Sequence, residues 1–383
     1  MLNVLYIGPN DSEWAQMNRP VNLAAAKWAR GFLTGLNRCC HLTALCHTRE
    51  VPWPKGRVLW RGDDPRLHPT AWAHEAISYP VLKGVRALWF RHAYSRAARR
   101  IVREKKIDVV LLYNCYEPWQ RAVMRDLKTA FGARVKVVPV LLDGDDPRKD
   151  DWGWLRDAAR FADAFVPLSW WVHTHLPERT GRPSYHFDGG ADGWCGTPPA
   201  PMRAEKTLVH TGSLDQWRGL DFMRAVVRLY NRPNVKFVLC GKETDAAPRE
   251  AFRADPRVEL AGFLDERALR TLCNAADALL NVRSPTHPDN ILNYPSKLPH
   301  YLSFGRPVVS TRLASLAPDY AEVVQFPADD TPEAYCRVLD AVLAQDDAAR
   351  QAAYGRMRTW FAAHKRWDVQ TAALADWLEG LVR

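Results

Sequence analysis

The sequence predicts an α/β protein of two doubly wound domains, each built on a parallel sheet, and three observations carry that expectation. Short apolar runs alternate with helical patterns, and the runs end in polar loops rich in Gly, Asp or Asn. A stretch with little apolar periodicity, Gly193–Glu205, holds Pro198, Pro199 and Pro201 and reads as a linker between two such series. The chain of 383 residues exceeds what one compact core takes, and 47% apolar residues suffice for two.

In chain order, Leu2–Ile7 reads as a strand followed by Gly8-Pro9-Asn10, 22–36 as a helix, and His41–His47 and Val58–Arg61 as strands. A basic helix precedes the buried-type strand Ile107–Tyr113. Arg134–Leu142 is a second such strand, ending in the acidic loop Asp143-Gly144-Asp145-Asp146-Pro147. Asp163–Leu168 and Ser184–Phe187 close the first series as short strands. The second series places strands at Lys206–His210, Val235–Cys240, Arg257–Leu260 and Ala278–Val282. Helices fall at Asp221–Tyr230, Asp265–Ala275 and Ser296–Phe304, the last ended by Gly305 before the strand that opens with Pro307-Val308-Val309. Thr331–Gln345, Asp346–His364 and Asp368–Val382 read as helices. The expected division is 1–195 and 206–365, with the terminal helix 366–383 packing back on the first domain.

Composition excludes several classes. No run approaches the roughly 18 apolar residues of a membrane span, and the N-terminus enters a strand without a signal-peptide pattern. Eight scattered cysteines without CxxC spacing point to free thiols in a reducing cytoplasm, against a disulfide framework or zinc site. The net charge of +10 is uneven: residues 1–200 hold 29 Lys/Arg against 20 Asp/Glu. It is densest at 83–106, where nine Lys/Arg face one Glu and Trp89, Phe90, Tyr94, Ile101 and Val102 recur between arginines. This basic amphipathic helix suits either an anionic membrane surface or a solvated face over its own sheet. No nucleic-acid-binding signature appears, so no nucleic acid is expected.

Three features offer ligand chemistry in the second series. Asn293-Tyr294-Pro295-Ser296 reads as a capped helix start, a ready anion site. The strand-end loop Thr211–Gly219 carries one cation, Arg218. Gly262-Phe263-Leu264 sets backbone groups beside an aromatic, which fits a flat base. A cation with a helix start suits a diphosphate leaving group. The run Asp143–Pro147 fits a site role or a solvated turn, and His173 and His175 lack metal-ligand spacing on a helix.

These residues carry a resemblance. TGSLDQWRG before a helix, then VKFVLCG, VELAGFLDERALRTLCNAADALLN and NYPSKLPHYLSFGRPVVST resemble the donor-binding domain of GT-B glycosyltransferases, specifically the retaining family 4 within glycosyl transferases group 1. The likeness is specific over Leu208 to Thr311 and implies two Rossmann-like domains facing a cleft. It implies that Arg218 neutralises the nucleotide diphosphate and that Asn293, Tyr294, Pro295 and Ser296 meet it, with Lys297 beside them. Gly262 and Phe263 would hold the base, and Gly8 would approach the donor. Asp143 would face the donor sugar, and Gly190 and Asp192 match the Gly-x-Asp closing the first domain. The sequence also departs from the family. The paired carboxylates fall at Leu292 and His300, so His300 is left for a ribose hydroxyl and Asp289 for the donor sugar. Ser213 stands where members have an arginine, and the double-glycine loop after the first strand is missing.

The resemblance implies a hexosyltransferase that moves a sugar from a nucleoside-diphosphate sugar with retention. It implies no cofactor and no required metal. The basic helix suggests an acceptor at the cytoplasmic membrane face, a glycan or lipid-linked molecule of cell-surface polysaccharide or glycolipid biosynthesis, which would make the protein cytoplasmic or peripheral on the inner membrane face. Two alternatives stay open: another sugar-nucleotide enzyme, such as an epimerase or hydrolase, and an inactive sugar-nucleotide-binding partner.

Overall fold

The computed structural model of the protein describes residues 1–18, 23–48, 50, 53–62, 64–82, 84–142, 147–212, 219–241, 250, 252–253, 255–284, 287, 290 and 293–383. They form two compact units. The first comprises Met1–Gly190 with Trp367–Arg383, the second Ala191–Arg366.

The first unit opens with β1 (Asn3–Ile7), α1 (Glu13–Asn18), α2 (Leu23–Cys39) and β2 (His41–Cys46). A small hairpin of β3 (Leu59–Trp60) and β5 (Tyr79–Pro80) brackets β4 (Ala73–Ala76). Then come α3 (Val85–Glu104), β6 (Val109–Tyr113), α4 (Pro118–Phe131), β7 (Lys136–Leu141), α5 (Gly153–Ala159), β8 (Val166–Pro167) and α6 (Trp170–Thr180). The sheet is parallel, in the order β4-β2-β1-β6-β7-β8. Its central strands are uninterrupted apolar runs because helices cover both faces; every residue of β6 is buried.

The second unit holds β9 (Lys206–Thr211), α7 (Leu220–Leu229), β10 (Val235–Cys240), β11 (Val258–Gly262), α8 (Glu266–Ala275) and β12 (Ala278–Asn281). It continues with α9 (Leu298–Leu302), β13 (Val308–Ser310), β14 (Val324–Gln325), α10 (Pro332–Leu343) and α11 (Asp347–His364). Its sheet is also parallel, in the order β11-β10-β9-β12-β13-β14. Leu208, Met223, Phe237, Leu280, Val309 and Tyr335 form its core. The proline-rich segment is tied to this unit. The Cys195 N–H donates to the Ser303 carbonyl at 2.9 Å, and the buried Arg306 guanidinium donates to the Thr197 carbonyl at 2.9 Å and the Asn274 carbonyl at 2.6 Å.

The final helix, α12 (Trp367–Val382), belongs to the first unit and packs on α2. Two glycines one helical turn apart allow the close approach. A Cβ on Gly31 would lie 2.1 Å from Cε2 of Trp367, and one on Gly35 would lie 2.4 Å from Oγ1 of Thr371.

Two local expectations are corrected. Ser184–Phe187 is no strand: it makes one bridge, Phe165 with Ser184, and backbone bonds from Tyr185 and Phe187 to β8 and its preceding residue. β8 is only two residues long and contains Pro167, so it offers too short a ladder. The helix expected from Ser296 starts at Leu298, with Pro299 in its first turn and Lys297 before it. Along the basic helix, Phe90, Tyr94, Ile101 and Val102 are buried in the first unit, and Trp89 alone of that set stays exposed.

Candidate active site at the sheet edges

In an open parallel sheet, ligands gather at the carboxyl ends of the strands where the strand order reverses. That point lies between β1 and β6 in the first unit and between β9 and β12 in the second.

In the second unit this edge is smooth. β9, β10 and β11 end side by side at Gly212, Gly241 and Gly262. The Gly212 N–H donates to the Cys240 carbonyl at 2.8 Å, and the Gly241 N–H donates to the Gly262 carbonyl at 2.9 Å. A Cβ on Gly241 would stand 2.2 Å from the Gly212 carbonyl oxygen, so only glycine allows these strand ends to lie so close. Beyond Gly262, Phe263 is 70% exposed. Peptide groups beside an exposed ring suit a flat aromatic ligand.

Lys297 supplies the charge. Its Nζ donates to the Thr211 carbonyl at 3.0 Å and meets Nε2 of His210 at 3.3 Å. His210 is fully buried, and its Nδ1 lies 3.0 Å from the Leu280 carbonyl, to which it must donate, leaving Nε2 to accept from the ammonium. Burial, and then the Lys297 charge, hold the imidazole well below its ordinary range. Tyr301, one turn along α9, takes the Thr211 N–H on its hydroxyl at 2.6 Å and pins the helix to the strand end. The ammonium is thereby fixed at the switch point of the sheet.

Arg283 adds a second cation that the sequence reading missed. It follows β12, and its Nη1 donates to the Asn290 side chain at 3.3 Å and the Asn293 carbonyl at 3.4 Å. The backbone at Gly219 lies against it: a Cβ there would meet Cα of Arg283 at 2.9 Å, and φ is +95°. Pairing across the switch point brings Arg283 here, and nothing in its local sequence announces it.

The other predicted residues divide. Asn293 presents its carbonyl to Arg283. Tyr294 is buried, with its hydroxyl bonded to that of Tyr320, so its side chain is part of the core. Pro295 takes the Leu298 N–H on its carbonyl at 2.8 Å, and Ser296 is exposed. His300 sets Nε2 at 3.7 Å from Oε1 of Glu266, the first residue of α8, and its ring packs on Phe304. Glu266 thereby sets a carboxylate beside His300. Gly8, in the first unit, is wedged between Tyr113 and Tyr6, and its N–H donates to the Leu45 carbonyl at 3.1 Å. Arg218, Asp143, Asp289 and Ser213 lie outside the described residues. His173 bonds Ser184 Oγ at 2.8 Å, and His175 lies 2.8 Å from the Trp171 carbonyl. Among the described residues no group of three His, Cys, Asp or Glu could hold a metal.

The lowered His210 value carries a stability consequence. The folded state keeps the ring neutral, while the unfolded chain protonates it near 6.5. The unfolded state therefore binds more protons below about pH 6.5, and each such histidine costs up to about 1.4 kcal/mol of stability per pH unit of acidification. His68 and His173 are lowered by burial in the first unit and act in the same direction. Thermal unfolding between about pH 7.5 and pH 5.5 is expected to show a falling midpoint, with a shallower fall for His210→Asn.

The family described as Glycosyl transferases group 1 matches residues 205–345. No curated protein matches the chain by sequence. Among solved structures, the chain is similar to sucrose-phosphate synthase from Thermosynechococcus elongatus, with 13% identity, TM-score 0.69 and 99% of each chain covered. It is similar to the catalytic domain of starch synthase IV from Arabidopsis thaliana bound to ADP and acarbose, with 11% identity and TM-score 0.67 over 100% of this chain and 99% of that one. It is also similar to HepE of Anabaena in complex with UDP and glucose, with 13% identity and TM-score 0.63 over 99% of this chain and 100% of that one. The chain thus has the GT-B fold, and the part of its second unit from 205 to 345 is similar to the family described as Glycosyl transferases group 1.

Proposed function

We propose that the protein transfers a sugar from a nucleoside-diphosphate sugar to an acceptor, with retention of anomeric configuration. The observation that carries this reading is the Lys297 ammonium, held by His210 and Thr211 at the switch point of the second sheet, beside the side-chain-free edge of Gly212 and Gly241. As the sugar–oxygen bond breaks, negative charge grows on the departing diphosphate. A cation fixed in advance stabilises that charge without reorganising. Arg283 supports it from β12, and Arg218 takes the place of the family's lysine before Gly. With the protein supplying the cations, the reaction needs no metal and no cofactor. Gly262 and Phe263 hold the base, and His300 with Glu266 meets the ribose. The resemblance assigns Asp289 and Asp143 to the donor sugar and Gly8 to the loop that approaches donor and acceptor. ADP in the starch synthase structure and UDP in the HepE structure support a nucleoside-diphosphate donor here. The basic first unit fits a lipid-linked acceptor at the inner face of a membrane, in cell-surface polysaccharide or glycolipid synthesis.

A thermal-shift screen against uridine, guanosine and adenosine diphosphate sugars is the first test. A ligand at about 100 times its Kd stabilises by about 2.7 kcal/mol. The stabilising donor, supplied with a lipid-glycan acceptor pool, is expected to release diphosphate only when acceptor is present. Arg218→Ala retaining normal transfer would remove that residue from the diphosphate role. His300 and Leu292 standing where members carry carboxylates keeps a second reading in view, that of a donor-only enzyme or a binding partner. Turnover without acceptor identifies the first, and absence of nucleotide-sugar binding by calorimetry favours the second.

A further inference from the structure

Six of the twelve large apolar side chains that stand exposed among the described residues fall in one short part of the first unit: Trp53, Val58, Leu59, Val85, Leu88 and Trp89. Isolated exposed apolar residues need no explanation, but a cluster does. Backbone bonds join its members. Leu59 pairs with Pro80 across the β3–β5 hairpin, the Val81 N–H donates to the Val58 carbonyl, and the Trp53 N–H donates to the Val81 carbonyl. α3 starts five residues after β5, and the Trp89 indole N–H donates to the Ser78 carbonyl at 2.8 Å.

The charge around this cluster is of one sign. Lys55, Arg57, Arg61, Arg86 and Arg91 are exposed beside it, and residues 53–62 and 84–92 contain no Asp or Glu. Leu88 and Arg91 continue into a groove of about 470 Å³ that also has Arg121, Arg125 and Arg160 in its wall, against one acid, Asp157. A pocket with that balance takes an anionic headgroup, and apolar side chains at its rim take the boundary beneath.

We propose that the first unit docks on an anionic phospholipid bilayer through the tip of the β3–β5 hairpin and the first turns of α3. The Leu88 and Val58 side chains enter the headgroup–acyl boundary, and the surrounding Lys and Arg pair with lipid phosphates. The long apolar side of α3 is buried, so the helix meets the membrane by its N-terminal end and does not lie flat upon it. No helix among the described residues is long and apolar enough to cross a membrane. This docking stands apart from the donor site: it concerns only the first unit, and it holds or fails whatever the second unit binds.

Cosedimentation of the full chain with vesicles of phosphatidylcholine alone, and of phosphatidylcholine mixed with phosphatidylglycerol, tests it. Binding is expected to the mixed vesicles only, falling with added salt as exposed charge is screened. Val58→Asp/Leu88→Asp and, separately, Arg86→Glu/Arg91→Glu should each weaken it about tenfold or more, because reversible anchoring needs both signals. Arg356→Glu/Arg358→Glu makes the same charge change at exposed positions of α11 in the second unit and should leave binding intact. Far-ultraviolet circular dichroism confirms that each variant is folded. Equal binding to both vesicle types, binding to neither, or equal loss in the α11 control would overturn the proposal.

Discussion

Exchange of Lys297 for methionine is expected to lower kcat/KM for sugar transfer by about 100-fold, mostly through kcat. The ammonium contributes most where charge is greatest, on the leaving diphosphate, and less to the bound donor. Methionine keeps the length of the stem while removing the charge. The hydrogen bonds that Lys297 gives to Thr211 and His210 are lost with it. His210 then loses one of the influences that depress its pKa, so the variant should also show a weaker fall of stability with acidification. Initial rates over a range of donor concentrations separate kcat from KM. An effect below about threefold would mean that the diphosphate is neutralised elsewhere.

Gly31→Ala is expected to destabilise the first unit by about 1–3 kcal/mol, and Gly355→Ala to stabilise the second by up to about 1 kcal/mol. The two changes are chemically identical and differ only in what the new methyl meets. At Gly31 it falls 2.1 Å from the Trp367 ring. That ring is held by Trp28 at 6.0 Å and Phe187 at 6.3 Å between centroids, so α12 must move off α2 or the cluster must repack. At Gly355, inside α11, nothing lies within 4 Å, and the gain is the higher helix propensity of alanine. Calorimetric scans of the two variants should move the unfolding midpoint in opposite directions, downward by about 5 °C for Gly31→Ala.

Much of the fold was legible because buried parallel strands leave continuous apolar runs. NVLYI, VVLLY and VKFVLC each carry enough β-branched and leucine side chains to mark a strand without context. α4 was also readable in principle: Glu117 and Gln120 form a reciprocal capping box around Pro118. The N-terminus of α9 was misplaced because two prolines compete for the first turn. Pro295 suits a capped start, but Pro299 opens the helix while the Pro295 carbonyl closes the turn before it.

The candidate site was less legible, since it depends on which strands become neighbours. Arg283 lies in a loop that reads as polar filler until β12 pairs with β9. The row of strand-end glycines needs the register of β9, β10 and β11 before Gly212 and Gly241 meet. His210 reads as an apolar strand's last polar residue, and its partner Lys297 is 87 positions away. Tyr294 shows that a residue carried over with a motif can keep its place in the chain while its side chain packs into the core. On the basic helix, amphipathic spacing left two uses open for the apolar side, a membrane surface or its own sheet, and Phe90, Tyr94, Ile101 and Val102 are buried in the first unit. The exposed apolar residues lie at its end and on the hairpin before it.

Hydrogen–deuterium exchange with the most stabilising nucleoside diphosphate tests the central claim most directly. The account predicts slowed exchange in the peptides covering Thr211–Gly212, Gly262–Phe263 and Asn293–Lys297, with the same segments unprotected in Lys297→Met. Binding that leaves those three segments unchanged, with protection confined to other parts of the chain, would contradict it.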